Sequence, residues 1–158
     1  MPETLHNTPF CLIPKELFKK EQIHEYWNVL FPEPLPENFG IDELENSFLI
    51  YPKPKDEEAV HEINFIYKNL REKFPNQENI IFINLLDEKI YLLVIKEHTM
   101  AFAGYFNYTV KEDVLYHLTH ISQQYFEDIL HVDFRYQQLS SGVLRLLNNY
   151  YEMKSLYE

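Results

Sequence analysis

The sequence predicts an α/β fold built on a mixed sheet, with a main unit in the order β-β-β-α-β-α. Three observations carry this. Residues 79–86, 90–96 and 99–108 are apolar, β-prone runs, and their connections are too short for anything but antiparallel neighbours. The third run passes directly into a helix with a negatively charged first turn and an apolar stripe. A further β-prone run at 131–138 is followed by Ser140-Ser141-Gly142, which starts a last helix.

The main unit reads as follows. Ile80–Leu86 lie in its first strand, Asp87-Glu88-Lys89 is a tight turn, and 90–96 is the second strand. Glu97-His98 turns the chain into the third. Thr109 caps a helix from Val110 to about Leu130, with Glu112 at the third helical position and Asp113 one further on. Its stripe is Val114, Leu115, Leu118, Ile121, Tyr125 and Ile129, which suits it to cover the sheet. The final helix carries Val143, Leu146, Leu147 and Tyr150.

The N-terminal part is less regular. Residues 1–8 read as a flexible tail and 9–13 as a short strand. After Pro14, the positions Leu17, Ile23, Tyr26, Trp27 and Leu30 fall roughly on one helical face. That helix stops before Phe31-Pro32-Glu33-Pro34-Leu35-Pro36, where prolines remove donors and impose extended geometry. Residues 41–46 suggest a short helical turn and Ser47–Tyr51 a strand. Asp56 is placed to cap a helix over 57–73, ended by Phe74-Pro75-Asn76. The division expected is a tail at 1–8, a reduced N-terminal α/β lobe at 9–76 and the main lobe at 77–158.

Three strands followed at once by a helix suggest a ribonuclease H-like lobe of the actin-like ATPase superfamily. The chain also resembles a bacterial family of uncharacterised proteins, catalogued as domain of unknown function 3822. The likeness lies in Leu12-Ile13-Pro14-Lys15-Glu16-Leu17-Phe18, in the strand pair at 80–95, and in the run from Asn107-Tyr108-Thr109-Val110 to Leu118. It covers about residues 9–150. The resemblance implies an actin-like ATPase fold of two ribonuclease H-like lobes. It supplies no catalytic residues, because the family's activity is not established. Relative to that pattern the chain begins inside the first lobe, without its opening strands, and offers only Gly142 where a second glycine segment would precede the last helix.

Composition narrows the functional classes. The chain has 158 residues, 46% of them apolar, enough for one well-buried core plus a smaller lobe. Its formal net charge is −11, and Arg71, Arg135 and Arg145 are its only arginines, so nucleic acid and anionic membranes are not expected partners. No apolar run reaches the roughly 18–20 residues needed to span a bilayer. The first residues lack the basic start and apolar core of a signal peptide, so a cytoplasmic location is expected. Cys11 is the single cysteine, which excludes an internal disulfide; its apolar neighbours suggest burial. The 12 Tyr exceed what a core needs and suggest rims or partner surfaces.

Sites of chemistry are thin. Phosphate-holding hairpins need glycine, so that backbone N–H groups approach closely. The first hairpin here has none, and Gly40, Gly104 and Gly142 are dispersed. Asp87 is the best single candidate for a metal contact, set against a solvated turn residue. A two-metal nuclease needs converging carboxylates. Asp87, Glu112, Asp113, Glu127, Asp128 and Asp133 lie in the right region, but the first strand carries none. Asp113, His117 and His120 share helical spacing that suits a three-ligand metal patch, or equally a wet helix face. The other histidines, His61 and His98 among them, are isolated, and Ser140 and Ser141 have no evident base. For interaction, Tyr26 and Trp27 are adjacent and cannot both point inward, and the aromatic C-terminal stretch contributes Tyr150, Tyr151 and Tyr157.

The expectation is a pseudoenzyme: a non-catalytic protein-interaction or assembly module, with a protein partner or self-association and no cofactor. The alternative is an actin-like ATPase that binds ATP and Mg, with its cleft completed by another chain.

Overall fold

The structure is a computed structural model; it describes residues 3–5, 8–54 and 59–157. The chain divides into two units, Met1–Asn69 and Leu70–Glu158.

In the first unit, β1 (Glu3–Leu5) pairs in parallel with β5 (Ala59–His61). Residues assigned to a flexible tail thus include a strand. A second sheet holds β2 (Cys11–Pro14), β3 (Phe39–Glu43) and β4 (Ser47–Pro52) in the order β2-β4-β3, all antiparallel. Against it packs α1 (Ile23–Leu30), and Cys11, Ile13, Ile23, Trp27, Leu35 and Ile50 form the core.

Three expectations for this unit are corrected. The helix after Pro14 does not start there: two 3-10 turns, Lys15–Leu17 and Lys20–Gln22, precede α1. The cause is Tyr26. Its hydroxyl donates to the Leu17 carbonyl at 2.8 Å and accepts from the Lys19 N–H at 3.0 Å, which holds the intervening backbone out of the helix. The helical turn expected at 41–46 is not formed: residues 41–43 belong to β3, and 44–46 are the bend that leads into β4. Gly40 lies opposite Tyr51 in the β3–β4 register, and the Tyr51 ring covers it. The helix expected from 57 begins instead as α2 (Glu62–Lys73), after β5. Asp56, its expected cap, lies outside the described residues. The cap is His61, whose Nδ1 accepts from the Ile63 N–H at 3.1 Å. That fixes the ring proton on Nε2, which donates to the Thr8 carbonyl at 2.8 Å.

In the second unit a five-stranded sheet runs in the order β10-β9-β6-β7-β8. The strands are β6 (Ile80–Leu86), β7 (Lys89–Lys96), β8 (Thr99–Asn107), β9 (Asp133–Tyr136) and β10 (Met153–Ser155). The meander is antiparallel, while β9 joins β6 in parallel and β10 joins β9 in parallel. Parallel neighbours need a crossover, which α3 (Lys111–Tyr125) and α4 (Ser141–Asn148) supply. Both helices pack on one sheet face. Val114, Leu118, Ile121, Val143 and Leu147 meet Ile81, Ile83, Ile90, Leu92 and Val94.

Here α3 is shorter than expected. It ends at Tyr125 because Phe126 turns extended, and Asp128 then closes an Asx turn with its Oδ1 2.9 Å from the Leu130 N–H. Leu130 therefore stands exposed. The helix start also shifts by one: Val110, not Thr109, is the cap residue. Valine has no side-chain acceptor, so only the returning half of a capping box exists. The Asp113 carboxylate takes the Thr109 and Val110 N–H groups at 2.8 and 3.1 Å. Ser140 caps α4 as expected, with Oγ 3.4 Å from the Val143 N–H.

The closing strand β10 was not foreseen and extends the order to β-β-β-α-β-α-β. It is held by a buried ion pair. Arg135 Nε lies 2.7 Å from Asp133 Oδ2, and Arg135 Nη1 donates to the Ser155 carbonyl at 2.9 Å. The guanidinium also stacks on Phe74, 4.0 Å from the ring centre.

Two tests follow from this packing. Arg135→Ala strands Asp133 beneath β10 and is expected to cost about 3–5 kcal/mol of unfolding free energy in urea, with Lys154 compensating little. A loss below about 1 kcal/mol would contradict the buried-pair account. A Cβ on Gly40 would sit 2.5 Å from the Tyr51 ring, whereas one on Gly142 meets nothing within 4 Å. Gly40→Ala should therefore lower the urea midpoint, by about 1–3 kcal/mol of overpacking. Gly142→Ala should raise it, by about 0.5 kcal/mol. Equal effects would refute the contrast.

Candidate functional site: a sealed hairpin and an open helix face

The β6–β7 turn is the place where a nucleotide-handling lobe would present backbone N–H groups. Leu86 pairs with Lys89, so the turn itself is Asp87-Glu88, with Asp87 at φ 51° in the left-handed region. Its two carbonyls are directed at Tyr108. The Tyr108 hydroxyl donates to the Asp87 carbonyl at 2.8 Å and the Tyr108 N–H to the Glu88 carbonyl at 3.2 Å. Both turn side chains are acidic and exposed. The two exposed carboxylates repel phosphate, and without a glycine the turn does not give it the close backbone approach that phosphate-holding hairpins use.

Three of the carboxylates named from the sequence, Asp113, Asp128 and Asp133, serve separate structural tasks. Asp113 is occupied by the start of α3, and the Thr109 and Val110 N–H groups hold its carboxyl below the usual carboxylate range, with a smaller contribution from His117. Asp128 closes its own turn, and Asp133 is buried against Arg135. His117 stacks on Phe106 with ring centres 4.6 Å apart, and His120 lies parallel to Tyr116 at 6.1 Å. Among the described residues, no group of three His, Cys, Asp or Glu stands close enough to hold a metal ion. The structure thus does not gather Asp113, His117 and His120 into a three-ligand group. Cys11 is buried, and burial pushes its thiol up to about 11, so it stays protonated and unreactive at neutral pH.

The aromatic residues separate into inward and outward sets. Trp27 is buried, with Nε1 donating to the Glu33 carbonyl at 3.0 Å. Tyr26 is half-buried and committed to the 3-10 turns. Tyr151 packs on Phe134 with ring centres 4.7 Å apart, its hydroxyl 2.8 Å from Thr119 Oγ1. Tyr150 and Tyr157 remain on the surface, 62% and 68% exposed. Tyr157 carries Lys73 Nζ over its ring at 4.6 Å and accepts from Gln137 at 3.1 Å.

Two features escaped the sequence reading. In the first unit, the buried Tyr51 hydroxyl lies 3.1 and 3.2 Å from the two Asp42 oxygens, and Asn64 donates to the same carboxylate at 3.0 Å. Burial, then Asp42, pushes the Tyr51 hydroxyl well above its ordinary pKa. No local motif marks this cluster, because its members come from β3, β4 and α2. In the second unit, the outer face of α3 lines an open hollow of about 300 Å³ with Glu112, Leu115, Tyr116, Thr119, His120 and Gln123. Tyr116 is 64% exposed there. Tyr116, Thr119 and Gln123 share one helix face by their spacing, opposite the buried Val114, Leu118 and Ile121, while Leu115 sits at the edge and packs against the core.

The cap at α3 makes a pH prediction. Asp113 is depressed in the folded state, so its contribution to stability is complete above the ordinary value of 3.8 and is lost as pH falls through the lower folded value. Carboxyl-detected NMR titration should place Asp113 below its ordinary value of 3.8, and Asp113→Asn should flatten the acid limb of the stability profile. An ordinary titration of Asp113 would contradict the cap.

Comparison with known proteins agrees with the fold. No curated protein matches the chain. Among solved structures, a Bacteroides thetaiotaomicron protein described as having an actin-like ATPase fold and unknown function superposes with a TM-score of 0.74 at 16% identity. The match covers 96% of this chain but 66% of that one, so the chain spans just under two thirds of its relative's length. At this identity the likeness speaks for the fold alone, which is that of the actin-like ATPases. A family model described as "Protein of unknown function (DUF3822)" matches residues 4–128, most of the chain, and the protein belongs to that family.

Proposed function

We propose that the chain is a non-catalytic protein-interaction or assembly module on a degenerate actin-like fold, working in the cytoplasm. Its second unit serves as the ribonuclease H-like lobe and its first as a reduced α/β lobe. The observation that carries this reading is the sealed β6–β7 hairpin. The turn has no glycine, two acidic side chains, and carbonyls already bonded to Tyr108. A phosphate approaching it meets the negative charge of Asp87 and Glu88. The exposed Tyr116, Tyr150 and Tyr157 support the interaction half of the proposal, since exposed aromatic side chains are enriched at partner surfaces. No helix among the described residues is long and apolar enough to cross a membrane, and the −11 net charge disfavours nucleic acid.

A thermal-shift scan with millimolar MgATP tests the reading. The expected result is an unchanged melting temperature. A nucleotide present at a hundred times its dissociation constant would add about 2.7 kcal/mol of stability, a readily seen shift. Such a shift would establish an ATP site and overturn the proposal.

A further inference from the structure

We draw no further inference here: the strongest candidate, the uncharged edge of the five-stranded sheet at β8 (Thr99–Asn107), carries nothing because no observation in the structure shows what covers it.

Discussion

The structure of the second unit depends on β6. It is the one strand shared by the antiparallel meander and the parallel crossover, pairing with β7 through Ile80–Leu86 and with β9 through Ile80–Ile83. Residues 80–83 are fully buried, which means that both faces of the strand are covered. A one-residue slip would exchange the side chains packed beneath α3 and α4 for those on the far face. The register thus fixes where the β6–β7 turn sits, where Tyr108 reaches back to it, and which face of α3 remains outside.

Polar contacts then lock the ends of this apolar frame. Asn84 Oδ1 accepts from the Gln138 N–H at 2.7 Å, tying the far end of β6 to the chain leaving β9. Arg135 fastens β10 through Asp133 and Ser155, and Asp113 fastens the start of α3. None of these groups is left over for chemistry. Of the carboxylates named from the sequence, Asp113, Asp128 and Asp133 are spent on a cap, a turn and an ion pair, and the carbonyls of the β6–β7 turn are bonded to Tyr108.

How much of this was legible in the sequence depended on how local its cause was. The meander at 80–107 was readable because alternating apolar runs and two-residue turns are short-range signals, and Ser140 announced α4 for the same reason. The error at the start of α3 was one residue, since both Thr109 and Val110 precede the acidic first turn and only geometry shows which N–H groups Asp113 takes; at its end the helix stops at Tyr125, about five residues early. Larger failures came from tertiary contacts. The Tyr26 hydroxyl breaks a helix that periodicity had drawn as continuous, and β5 is a strand because β1 lies beside it. His61, which looked isolated, caps α2. β10 exists because Arg135 and Tyr136 receive it, a condition that its own residues do not encode. Of the aromatic candidates, only Tyr150 and Tyr157 kept their rings outside; Tyr116, the most central on the open helix face, was passed over.

Residue-resolved amide hydrogen exchange under native conditions tests the dependence on β6 most directly. The amides of Ile81, Phe82 and Ile83 should be the slowest in the second unit, exchanging only through its cooperative unfolding, while those of the β10 edge open locally and faster. If the β6 amides exchange as readily as those of β10, the unit does not hang on this strand and the account fails.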